Sequence, residues 1–239
     1  MTARSDTIGP YMRLLWFLLY PLTMLLFKVR WRGLDRIPKS GGAIVAVNHV
    51  SYADPIVFGR FVWDAGRVPR YLAKASLFSA PFPIRQLLRG SGQIPVHRGS
   101  VNAGEALQAA VDALREGKLV LIYPEGTVTR DPDFWPMQAK TGIARLALMV
   151  PEAPVIPVGQ WGAQNFLDVY HKKFRPLPRT EVSASAGEQV DLSDFAGQQP
   201  SRDVLQAITE RIMVAVRNEV AELRGEPAPE AFARRPATP

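Results

Sequence analysis

A histidine stands five residues before an aspartate in the stretch Asn48-His49-Val50-Ser51-Tyr52-Ala53-Asp54-Pro55. A carboxylate beside an imidazole fixes its tautomer and stabilises the imidazolium formed when the ring takes a proton, so His49 with Asp54 has the parts of a general base. The pair follows the apolar run 43–47, which reads as a buried strand. That puts His49 at a strand's carboxyl end, where α/β sheets place their ligand sites. A structural reading stands beside this one. Ser51 at an N-cap and Asp54 at the third helical position form a capping box.

Three downstream segments add groups that such a base needs. Gly92-Gln93-Ile94-Pro95-Val96-His97-Arg98 ends on an arginine whose planar fork suits a phosphate, or which is a surface charge. His97 reads as its neighbour rather than as a catalyst. Tyr123-Pro124-Glu125-Gly126-Thr127 follows another apolar run, 119–122. There a glycine lets backbone N–H groups approach an anion closely. Glu125 would bond a substrate hydroxyl or hold a basic side chain, or simply be solvated in a turn. Arg130 and Lys140 lie nearby and add positive charge. The last segment, Val155-Ile156-Pro157-Val158, is the least specific.

Other chemistries lack their residues. The chain has no cysteine and three histidines, which argues against disulfides, thiolate nucleophiles and a catalytic zinc. Neither a Gly-x-Ser-x-Gly elbow nor a nucleotide-binding glycine loop occurs. The net charge of +7 suits anionic partners such as lipid headgroups, phosphorylated substrates, coenzyme A or an acidic carrier protein. With no nucleic-acid-binding pattern, nucleic acid is not expected as a partner.

The elements that must position these residues alternate. Strands are expected at 43–47, 71–74, 94–96, 119–123 and 155–158, and helices at 55–63, 101–116, 141–149 and 202–223. Residues 76–89 read as mixed. This predicts an α/β fold, a single domain over 33–224 with a mixed, largely parallel sheet flanked by helices. Residues 225–239 read as a loose tail. Residues 1–32 read as a membrane-anchoring helical segment, the alternative being a core helix that caps the domain. Its apolar part, 14–27, is shorter than a span and contains Pro21. Trp16, Tyr20 and Trp31 favour headgroup depth, and Lys28, Arg30 and Arg32 suit anionic lipid.

Taken in order, the four segments resemble the motifs of the glycerolipid acyltransferase superfamily, most closely the lysophosphatidate acyltransferases. The resemblance covers about residues 30–160 and rests on His49-x-x-x-x-Asp54 as the first motif. It implies that His49, oriented by Asp54, deprotonates the free hydroxyl of 1-acyl-glycerol-3-phosphate. The alkoxide then takes a fatty acyl group from acyl-CoA or acyl carrier protein, with no cofactor, no metal and no acyl-enzyme, giving phosphatidic acid. It further implies that Arg98, Glu125, Gly126 and Thr127 hold the acceptor, and that Ile156 and Pro157 support an acyl pocket. It places the protein on the cytoplasmic face of the cell membrane. One residue departs. The family's third motif usually continues Glu-Gly-Thr-Arg, and this chain has Val128 there, with Arg130 two residues on. Either Arg130 supplies the charge, or the acceptor is another lysophospholipid or a glycosylated phosphoinositide. A non-catalytic membrane-binding scaffold is the alternative of another class.

Overall fold

The computed structural model describes residues 8–82, 84–96, 103–168 and 170–234. The chain begins with α1 (Pro10–Leu26) and β1 (Phe27–Arg32). It continues through β2 (Ala43–Val47), α2 (Asp54–Asp64), β3 (Pro69–Lys74), α3 (Ile84–Gly90), β4 (Ile94–Val96), α4 (Ala103–Arg115) and β5 (Leu119–Ile122). Then come α5 (Gly142–Met149), β6 (Val155–Trp161), α6 (Ala163–Phe166), β7 (Leu167–Asp168), β8 (Lys173–Phe174), β9 (Thr180–Ala186) and α7 (Arg202–Arg224).

The main sheet has seven strands in the order β1-β9-β6-β2-β5-β3-β4. Every pairing is parallel except β6 with β9. This is the expected mixed, mainly parallel α/β sheet in a single domain. β2 lies inside it, and all five of its residues are buried because both faces are covered. Ile44 and Ala46 pack with α4, α5 and α7 through Ala110, Leu114, Leu146, Ile208 and Ile212. Val45 and Val47 pack with α2 through Phe58, Phe61 and Val62. α7 lies directly on β6. A Cβ at Gly159 would stand 2.6 Å from the backbone of Glu219 and Val220, so only glycine permits this approach.

Parallel pairing puts the carboxyl ends of β2, β3, β4, β5 and β6 on one edge. β2 therefore delivers His49 beside the turn after β5 and beside the end of β6.

The N-terminal segment divides differently from its sequence reading. Phe27–Arg32 is the edge strand of the sheet, in register with Thr180 to Ser185 of β9, so it belongs to the α/β domain. Among the described residues no helix is long and apolar enough to cross a membrane. Trp16 is buried, with its ring 4.8 Å from that of Trp63. Trp31 donates its indole N–H to Asp64 at 2.9 Å, and Tyr20 donates to the same carboxylate at 3.1 Å. The three aromatic residues expected at headgroup depth thus anchor α1 and β1 to α2. α1 turns outward Leu14, Phe17 (77% exposed), Leu18, Leu22, Met24 and Leu25, together with Tyr11 and Arg13 near its start.

The end of the chain is also tied down as far as it is described. Ala233 bridges to Met137, and its carbonyl accepts from Gln138 N–H at 3.0 Å. Arg217 lies over the Phe232 ring and donates to the Glu230 carbonyl. Arg224 pairs with Glu226 at 2.6 Å, so two arginines of α7 hold part of the segment read as a loose tail.

Candidate active site

β2 ends at Val47, and the chain turns through residues 48–53 into α2. The Asp54 carboxylate sits at the centre of that turn, completely buried. Its Oδ2 accepts from Val50 N–H (2.7 Å) and Ser51 N–H (2.9 Å), and lies 2.8 Å from His49 Nδ1. Ser51 Oγ accepts from Ala53 N–H and donates to the Leu167 carbonyl. The capping box is not what forms: α2 starts at Asp54 with Ala53 at its N-cap and no side-chain cap bond, and the Asp54 oxygen that closes the turn on Val50 and Ser51 N–H is the one that orients the imidazole. With Nδ1 engaged, Nε2 is the free nitrogen of a ring whose side chain is 12% exposed. Such a ring can exchange a proton with a group arriving from solvent.

The end of β2 is fixed further by Asn48 and Gln160. Asn48 donates to the Gln160 carbonyl (3.0 Å) and accepts its N–H (2.8 Å), and the Gln160 amide donates to the Asn48 carbonyl (2.7 Å). On one side Tyr123 stacks on the imidazole, ring centres 4.2 Å apart and planes 24° apart. Tyr71 stacks behind Tyr123, and its hydroxyl donates to the Pro55 carbonyl. Burial pushes both phenols well above the ordinary tyrosine value, so both tyrosines stay neutral.

Glu125 is completely buried, and its carboxylate binds backbone rather than facing solvent. Oε1 accepts His49 N–H and Oε2 accepts Met137 N–H, both at 2.9 Å. Burial pushes the carboxyl up to about 8, against those two N–H bonds, which favour its charged form. Thr129 N–H donates to the His49 carbonyl at 2.7 Å. The loop after β5 therefore grips both backbone polar groups of His49.

The remaining candidates fall in different places. Gly126 has φ +73, the left-handed turn conformation that glycine tolerates, and Lys140 runs alongside its Cα. Thr127 is half-buried, whereas Val128 is only 1% exposed. Arg130 is exposed and lies beside the Tyr170 hydroxyl. That hydroxyl donates to the Val128 carbonyl at 2.9 Å. Burial raises the Tyr170 pKa, and the Arg130 guanidinium opposes the rise. Lys74 is exposed at the carboxyl end of β3, in register with Val96. His97 and Arg98 lie outside the described residues. Ile156 and Pro157 are both buried in the middle of β6, paired with Val45 and Ala46. As strand neighbours they face opposite sides of the sheet and cannot line one pocket together.

Sequence reasoning did not find Thr129, Met137, Gln160 or Tyr170. The first two act through backbone N–H groups, which leave no side-chain signature. Gln160 meets Asn48 across 112 residues.

A family model described as Acyltransferase matches residues 28–161. The chain belongs to the acyltransferase family. It is 31% identical over 140 residues to a 1-acyl-sn-glycerol-3-phosphate acyltransferase of Borreliella burgdorferi, covering 58% of this chain and 53% of that protein. The match thus spans about half of that relative's length. It is 26% identical over 181 residues to the Bacillus subtilis protein of the same name, covering 74% of this chain and 81% of the relative. In fold it is similar to the crystal structure of PlsC, the 1-acyl-sn-glycerophosphate (LPA) acyltransferase of Thermotoga maritima. The TM-score is 0.62 at 24% identity, over 89% of this chain and 82% of that one.

Proposed function

We propose that this member of the acyltransferase family moves a fatty acyl group from acyl-CoA or acyl carrier protein to the free hydroxyl of 1-acyl-glycerol-3-phosphate. The observation that carries the chemistry is the 2.8 Å contact between His49 Nδ1 and a buried, triply engaged Asp54 oxygen at the sheet's carboxyl edge. The names of the Borreliella and Bacillus relatives carry the acceptor.

In this reading His49 Nε2 takes the proton of the acceptor hydroxyl as its oxygen attacks the thioester carbonyl. Asp54 stabilises the imidazolium. The tetrahedral intermediate collapses with cleavage of the C–S bond. The imidazolium returns its proton to the leaving thiolate, so the products are the diacylated lipid and a free thiol. Glu125 holds the His49 backbone rather than the acceptor. Gly126, Thr127 and Arg130 bind the acceptor phosphate, a role that the family motif also gives to Arg98. Val128 favours one further reading, an acceptor with a different headgroup, because the motif's usual cation is absent there. The reaction takes place at a membrane surface, with the outward apolar face of α1 against lipid.

The test is thiol release from palmitoyl-CoA in the presence of lysophosphatidate, wild type beside His49→Ala. A positioned general base contributes ~10²–10⁴-fold, so the variant should lose at least that much. Near-wild-type turnover in the variant refutes the base. Lysophosphatidate as the poorest of a panel of lysolipids refutes the acceptor.

A further inference from the structure

Among the described residues, every exposed large apolar side chain but Met149 lies on α1 or in the segments that follow β2, β3 and β6. Tyr52 and Ile56 follow β2, and Leu77, Phe82 and Ile84 follow β3. Tyr170, Phe174 and Leu177 follow β6, in the excursion between β6 and β9. Apolar surface is thus concentrated at the edge that carries His49, and an uneven distribution of this kind marks an interaction face.

The excursion 167–179 differs from the rest of this edge. β7 and β8 pair as a short antiparallel hairpin, Leu167 with Phe174 and Asp168 with Lys173. Its base is rooted in the site. The Leu167 carbonyl accepts from Ser51 Oγ, and the Tyr170 hydroxyl reaches the Val128 carbonyl. Its far end is rooted at the junction of α1 and β1, where Arg179 donates to the Phe27 carbonyl at 2.7 Å. Phe174 rests edge-on against Phe166 and is still 62% exposed, and Leu177 is 71% exposed. Between residues 170 and 179 stand Lys172, Lys173, Arg175 and Arg179, and no acidic residue. Among the described residues, Lys172, Lys173 and Arg175 form no ion pair.

We infer that the hairpin 167–179 is a second membrane-contacting element that binds anionic phospholipid headgroups and seats Phe174 and Leu177 among the acyl chains. This rests on the membrane reading above and deepens it. The chemistry follows from the pairing of charge with apolar surface. Lysines and arginines attract an anionic leaflet at about 1 kcal/mol each, and partly inserted apolar side chains add burial. An acidic carrier protein would be drawn by the same cations. It has less use for two protruding apolar side chains, Phe174 and Leu177.

Binding is measured apart from turnover. The full chain is sedimented with vesicles of phosphatidylcholine alone and of phosphatidylcholine mixed with phosphatidylglycerol. Three removed charges should weaken partitioning onto the anionic vesicles on the order of 100-fold in Lys172→Gln/Lys173→Gln/Arg175→Gln. Binding to phosphatidylcholine should be unchanged. Leu177→Gln, monitored for an unaltered melting temperature, should weaken binding to both vesicles roughly tenfold. At about 1 M salt, where screening shortens to ~3 Å, the triple variant and wild type should converge. Equal partitioning of the triple variant and wild type at low salt overturns the inference. So does a loss seen only in turnover with an acyl carrier protein donor. His49→Ala protein should bind as wild type does, so a failure of the acyl-transfer reading leaves this measurement intact.

Discussion

Glu125→Gln gives a stability curve whose sign reverses with pH. Burial raises the carboxyl from 4.5 to about 8, in part offset by the N–H bonds of Met137 and His49. A move of that size corresponds to roughly 5 kcal/mol. Because the folded value lies above the unfolded one, the unfolded chain gives up its proton first. The contribution is therefore whole below about pH 4.5, declines through neutrality and is gone above about pH 8. Glutamine does not titrate and escapes that decline. It does present an NH2 group to one of two buried N–H donors, at a cost of about 1–3 kcal/mol. At pH 5 the variant should be less stable than wild type by up to about 2 kcal/mol. At pH 9 it should be more stable by about 2–4 kcal/mol, the curves crossing between about pH 5 and 7. Urea unfolding followed by tryptophan fluorescence, in constant detergent and salt, measures the difference. The same difference at pH 5 and pH 9 would refute the account of a carboxyl held neutral by burial.

Asp54→Ala removes the acceptor of two buried backbone N–H groups as well as the partner of His49. It should cost about 2–5 kcal/mol in addition to activity, whereas His49→Ala should stay within about 1 kcal/mol of wild type. Equal melting temperatures for the two variants would show that the turn does not depend on the carboxylate. Restoring the family's cation by Val128→Arg should destabilise by about 3 kcal/mol or more, because that position is buried. Arg130→Ala should instead raise KM for a phosphorylated acceptor ~10–100-fold with kcat little changed, the loss expected for a hydrogen bond to a charged group; an unaltered KM removes Arg130 from the acceptor site. The Arg224 guanidinium lies between the Trp135 and Trp161 rings, 4.1 and 4.3 Å from their centres, and donates to the Asp133 carbonyl. Arg224→Ala should cost about 1–3 kcal/mol and lower kcat, because the loop it grips supplies the Met137 N–H to Glu125. A destabilised variant with full kcat would separate the loop from catalysis.

The parts of this protein legible in its sequence are those whose partners are close or whose pattern is strong. β2 and β5 read as buried strands because runs apolar on both faces have few other fates. The dyad reads from spacing, because five residues across a strand-to-helix turn bring His49 to Asp54. Glu125 misleads because what it binds is backbone, 12 and 76 residues away. The edge strand carried a signal of its own. Phe27, Val29 and Trp31 alternate with Lys28, Arg30 and Arg32, the period of a half-covered strand. The same residues read equally well as the basic flank of an apolar helix. Only β9, far along the chain, decides between the two. Trp16 and Trp31 turn inward because Trp63 and Asp64 supply a stacking face and an acceptor that no local pattern announces.

The pairing of β1 with β9 also sets an order of events in the making of the protein. Phe27 leaves the ribosome long before its neighbour Thr180. At ~5–20 residues per second, the roughly 150 residues between them take on the order of ten to thirty seconds. During that interval α1 is already out, with its outward leucines uncovered and no finished sheet edge beneath it. The loop that grips His49 receives its Ala233 bridge to Met137 later still, roughly fifty residues after Thr180. Translation therefore offers the helix to a chaperone or a bilayer first and closes the catalytic turn last, so a stalled nascent chain is sticky before it is active.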